Sequence, residues 1–117
     1  SHVDPDLKPL LKKISKYAKQ AEALNLPFWV FVQESKPIGI IVVGKEPIQL
    51  LAPPGTPVAL INLIDTKLPK ESIGTFATEA LKLAIQRNVE YALATFRFEE
   101  DEAVNQFKKK GFKEFDD

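Results

Sequence analysis

The chain has 117 residues with 16 basic and 16 acidic side chains, so no net charge steers it toward nucleic acid or an anionic membrane surface. It contains no cysteine and a single histidine, His2, which excludes disulfides and a cysteine nucleophile and argues against a His-based active site or metal centre. No apolar run approaches the roughly 18–20 residues of a membrane helix and no signal-peptide pattern is seen at the N-terminus. One cytoplasmic domain over residues 1–117 is therefore expected, with Ser1-His2 read as a tag remnant.

The first periodic segment, residues 5–24, places Leu7, Leu10, Leu11, Ile14, Tyr17, Ala18, Ala21 and Leu24 at helical spacing. Lys8, Lys12, Lys16 and Lys19 fall on the opposite side, as on a solvated helix face. The period then shortens. Residues 28–32 and 38–43 are short β-branched or aromatic runs, and Glu34-Ser35-Lys36-Pro37 between them is turn chemistry, which predicts a hairpin. Further strands are expected at 48–51 and 58–64, separated by Pro53-Pro54-Gly55, where glycine suits the positive φ of a type II turn. The continuous apolar character of these runs predicts strands covered on both faces.

The second half alternates. Residues 69–87 predict a helix with Ile73, Phe76, Ala77, Ala80, Leu81, Ala84 and Ile85 inward and Pro69 in its first turn. Residues 91–98 predict a strand. Residues 101–110 predict a short helix, acidic at its start and basic at its end to match the dipole. Gly111 is a natural residue to follow it, leading into a last strand at 112–115. The expected fold class is α/β, a mixed sheet in which an antiparallel meander is followed by β-α-β-α-β, with the 58–64 and 91–98 strands parallel.

This order, with Ala103-Val104-Asn105-Gln106-Phe107-Lys108-Lys109-Lys110-Gly111-Phe112, resembles the GNAT N-acetyltransferase superfamily over residues 28–115. The resemblance implies a divergent member using acetyl-CoA or coenzyme A as co-substrate and no metal. Its acceptor would be a small-molecule or peptide amine, with neither membrane nor nucleic acid as partner. The family's first and final strands have no counterpart, so the chain is expected to be trimmed or to receive those edges from a partner chain, as in a homodimer.

In such a site two parallel strands separate, a pantetheine arm meets their exposed backbone at Leu63 and Ile64, and the pyrophosphate reaches the start of the next helix at Ser72, Ile73, Gly74 and Thr75. The family's phosphate loop falls on Pro69, Ser72 and Gly74, and only Gly74 agrees with it. Gly74 reads equally well as a close-packing residue. Asp65 and Glu100 are the candidate catalytic carboxylates; Asp65 reads alternatively as a helix cap and Glu100 as part of an acidic first turn. Phe107 stands where the family commonly has a tyrosine that protonates the leaving thiolate. Two functions remain open: an acetyl-CoA-dependent N-acyltransferase, and a catalytically silent GNAT-like binding or regulatory module.

Overall fold

The computed structural model describes residues 7–45, 53–97 and 99–115. In chain order they form α1 (Leu7–Ala23), β1 (Phe28–Gln33), β2 (Lys36–Lys45), β3 (Pro57–Leu63), α2 (Lys70–Gln86), β4 (Tyr91–Thr95) and α3 (Asp101–Lys109). The strands make one sheet in the order β1-β2-β3-β4. The first two pairings are antiparallel, and β3 pairs β4 in parallel, as the sequence predicts.

Helices cover both faces of the sheet. On one, Leu10, Ile14, Tyr17 and Ala21 of α1 pack against Ile40 and Val42 of β2, Leu60 of β3 and Ile64 beyond it. On the other, Ile73, Phe76, Ala77, Ala80 and Ala84 of α2 cover Ile38, Ile41, Ala59 and Ile61. The alanine row lets α2 lie close to the sheet. Burying Phe76 alone contributes about 1.5–3 kcal/mol. Because β2 is sandwiched, its apolar residues do not alternate with polar ones, which is why the run at 38–43 is continuous.

All three described helices end the same way. After α1 the N–H of Leu26 donates to Ala21 O and that of Asn25 to Glu22 O, with Asn25 at φ 56°. After α2, Val89 and Asn88 make the same pair of bonds to Ala84 and Ile85, with Asn88 at φ 55°. After α3, Phe112 and Gly111 bond Phe107 and Lys108, with Gly111 at φ 102°. These are Schellman motifs, in which a left-handed residue turns two orphan N–H groups onto the last free carbonyls. Asparagine tolerates that conformation because its short polar side chain adapts locally.

Several expectations are corrected. The β1–β2 turn is only Glu34-Ser35, both at positive φ, while Lys36 and Pro37 already belong to β2. Pro37, which has no N–H, sits opposite Val32 where the register shifts at a bulge, a position that spares the ladder a donor. Pro69 is the N-cap of α2 and not a first-turn residue. The strand expected at 91–98 ends at Thr95. Residues 112–115 form no strand: Phe112 packs on Phe107, Glu114 pairs with Lys108 at 3.0 Å, and the segment faces β4 across a cavity instead of pairing with it. Gly55 has the positive φ expected of it, at 89°, with Thr56 N–H closing the turn on Pro53 O. The strand expected at 48–51 lies outside the described residues.

Candidate functional site

The site lies where β3 and β4 part. Their ladder runs from Val58↔Tyr91 to Asn62↔Thr95 and stops. Strand β3 stays with β2 beyond that point: Leu63 lies opposite Gly39, and the amides of Ile64 and Asp65 both donate to Ile38 O, at 2.8 and 3.3 Å. An antiparallel ladder alternates its bonding direction residue by residue. With the Ile64 amide facing β2, the N–H and C=O of Leu63 must face β4. In this register the next donor along β4, toward the Leu63 carbonyl, would be the Arg97 amide. That amide donates instead to Glu100 Oε2 at 3.0 Å. Glu100 thus diverts the rung that would have continued the ladder.

Of the two backbone positions expected to meet a pantetheine arm, Leu63 presents its carbonyl at the gap, whereas the Ile64 amide is already spent on Ile38. At the start of α2, the Ser72–Thr75 amides expected to meet a pyrophosphate are engaged within the chain. The Ser72 and Ile73 N–H groups donate to Pro69 O at 3.0 and 3.2 Å, and Gly74 and Thr75 lie far enough inside α2 for ordinary helical bonding. The orphan donors of the first turn are therefore Lys70 and Glu71, earlier than the expected Ser72–Thr75 set. Ile73 is a core residue. Gly74 is the point where α3 meets α2: a Cβ there would lie 3.3 Å from Gln106 Oε1.

Two cavities flank the gap, and a third lies near it at the start of α2. One of about 270 Å³ opens on the α2–α3 side and is lined by Leu63, Thr66, Ile73, Arg97, Glu99, Glu100 and Glu102, among others. A second, of about 220 Å³, opens on the α1 side and is lined by Lys13, Lys16, Tyr17, Asn62, Thr95 and Phe96, again with Leu63, Thr66, Arg97 and Glu100. Leu63, Thr66, Arg97 and Glu100 are common to both, so the gap is walled by the same residues from either face. The third, of about 500 Å³, lies between the β1–β2 turn and the start of α2, and includes Lys36, Asp65, Lys67, Pro69 and Ser72.

The two candidate carboxylates are not brought into one cavity. Asp65 lines only the third, and its Oδ1 accepts the Lys67 amide at 3.0 Å, closing a local Asx turn instead of capping α2. Glu100 lines both cavities at the gap. Phe107 lines neither of them. It is 2 % exposed and makes edge-on contacts with Phe76, Phe96 and Phe112 at centroid distances of 6.2, 4.9 and 5.0 Å. Trp29 is occupied too, with the Arg87 guanidinium 4.4 Å above its ring at the end of α2. Sequence reasoning missed Lys13 and Arg97, and only the fold shows that they face the gap.

No group of three or more metal-ligating side chains occurs among the described residues, and no helix among them is long and apolar enough to cross a membrane. No protein-family model and no curated protein matches the chain. Solved structures do. The chain is similar to a ribosomal-protein-alanine N-acetyltransferase from Brucella melitensis at 15% identity, over 99% of this chain and 67% of that one, with a TM-score of 0.58. It is similar to a predicted acetyltransferase from Clostridium acetobutylicum, solved with acetyl-CoA, at 18% identity over 97% and 75% of the two chains, with a TM-score of 0.59. An aminoglycoside N-acetyltransferase, AAC(6')-Iy, in complex with CoA is similar at 10% identity over 98% and 91%, with a TM-score of 0.57. The fold is that of the GNAT acetyltransferases.

Proposed function

We propose that the chain is an acetyl-CoA-dependent N-acyltransferase whose reaction takes place in the gap between β3 and β4. The observation that carries this reading is the premature end of the β3–β4 ladder, with the Leu63 carbonyl facing the gap and a cavity on each side of it. An amide N–H of the pantetheine arm would complete the interrupted rung by donating to Leu63 O. The Lys70 and Glu71 amides and the positive end of the α2 dipole would hold phosphate oxygens, aided by Lys67 nearby.

In the reaction a neutral amine attacks the thioester carbonyl, the C–N bond forms, the C–S bond breaks, and the amine proton is lost. Glu100, at the gap with one carboxylate oxygen on the Arg97 amide, is the base for that proton. Because the Ile64 and Asp65 amides are committed to Ile38, the Asn62 side chain on the α1 face is the donor for the oxyanion. The thiolate takes its proton from water or from the protonated base, since Phe107 has none to give.

A second reading, a GNAT-fold module without turnover, is favoured by two observations. Phe107 is core, and Glu99, Glu100 and Glu102 crowd the α2–α3 cavity with negative charge that opposes a pyrophosphate. Calorimetric titration with acetyl-CoA, followed by thioester consumption in the presence of amines, tests the two. Saturable binding with turnover supports the transferase, whereas binding without turnover, or no binding, removes the transferase and supports the module.

A further inference from the structure

The two faces of the gap differ in charge. On the α2–α3 side the carboxylates of Glu99, Glu100 and Glu102 outnumber the single cation, Arg97. On the α1 side the balance is reversed: Lys13, Lys16 and Arg97 face one carboxylate, Glu100. None of those three cations has a carboxylate within ion-pair distance among the described residues, where the ion pairs are Lys82–Glu79 and Lys108–Glu114. Glu100 is not their partner either, because one of its oxygens is held by the Arg97 backbone and not by its guanidinium.

If the arm of the co-substrate enters from α2, its thioester end emerges on the α1 face, so this basic cavity is where the acceptor must stand. We propose that the acceptor is a small amine that carries its own anionic group, a carboxylate or a phosphate. Lys16 and Arg97, with Lys13 beside them, bind that group, and Glu100 receives the ammonium end. The cavity of about 220 Å³ suits a compact molecule. Three cations with a carboxylate at the gap match a zwitterion end for end, whereas a polyamine would set its second charge against the lysines. This proposal rests on the transferase reading.

The test uses the whole chain saturated with coenzyme A. β-Alanine and O-phosphoethanolamine, whose far ends are anionic, are titrated beside β-alaninamide, whose far end is uncharged, and 1,3-diaminopropane, whose far end is a second ammonium. Both amines with an anionic far end should bind more tightly than β-alaninamide, and the diamine most weakly, with the preference fading as salt is raised. Lys16→Glu and Arg97→Glu should each weaken β-alanine by about five- to tenfold, as expected for exposed ion pairs reversed in sign, and should not weaken β-alaninamide, whose only charge is its ammonium. A variant that merely disturbed the fold would weaken both. Binding of coenzyme A with equal or inverted amine preference overturns this proposal and leaves the transferase reading standing. Failure of coenzyme A itself to bind overturns both.

Discussion

The carboxylate of Glu100 accepts the backbone N–H of Arg97 at 3.0 Å, and so removes from the sheet the donor that would carry the β3–β4 ladder one rung further. The same contact fixes the turn into α3, since the Glu100 amide donates to Arg97 O at 3.1 Å. Glu100 therefore both holds the gap open and stands in it. Glu100→Gln keeps an acceptor for the Arg97 amide and removes the base proposed for the reaction. It should retain acetyl-CoA affinity while transfer falls by about 10²–10⁴-fold. Glu100→Ala should lose affinity as well. Equal transfer rates in wild type and Glu100→Gln, measured by thioester consumption, would move the base elsewhere.

Phe107 is enclosed by three aromatic rings. Phe107→Tyr puts a hydroxyl among them without a partner, and a buried unsatisfied group of that kind costs about 1–3 kcal/mol. Urea denaturation should show this loss with no gain in acetyl transfer. A faster enzyme of unchanged stability would show that the ring edge reaches the gap after all.

Gly39 lies under the Phe76 ring, and a Cβ at that position would fall 2.6 Å from Phe76 Cε1. The ring cannot yield cheaply, being fully buried and edge-on to Phe31 at 5.4 Å. Gly39→Ala should destabilise the protein by about 1–3 kcal/mol through overpacking, and an unchanged urea midpoint would contradict this packing.

These residues also show what a sequence can disclose. The α2 stripe from Ile73 to Ala84 has a clear period of 3.6 residues, and the buried runs of β2 and β3 lack alternation, so the helix, the meander and the parallel pair are all legible. The residues 112–115 look equally like a strand by composition. A strand exists only through a partner, however, and whether Glu114 reaches Lys108 or the chain reaches β4 is decided in three dimensions. Which amides of α2 stay free is hidden from the sequence for a related reason: it depends on where Pro69 O finds its donors, and a loop alignment cannot show that. At the site, Glu100 and Leu63 were legible as positions. The rung they interrupt follows only from the register.

Glu71 is exposed in the first turn of α2, beside the amides assigned to phosphate. A carboxylate there stabilises the helix by about 0.3–1 kcal/mol through the dipole but repels an incoming anion. Glu71→Lys should therefore lower stability slightly and tighten coenzyme A binding by about two- to tenfold. This variant isolates the anion site better than Gly74→Glu, whose side chain would collide with Gln106 and separate α3 from α2. Unchanged affinity in Glu71→Lys would place the phosphates away from this helix.

In the proposed reaction the gap between β3 and β4 receives the pantetheine arm of acetyl-CoA at Leu63. Amide exchange on the intact chain, with and without acetyl-CoA, tests it most directly, because the arm must cover the ends of both strands. Saturable slowing of exchange is expected in the segments that carry residues 62–66, 70–73 and 95–97, with little change at the β1–β2 turn residues Glu34 and Ser35. Binding that leaves the 62–66 and 95–97 segments unprotected, or no binding at all, would contradict it.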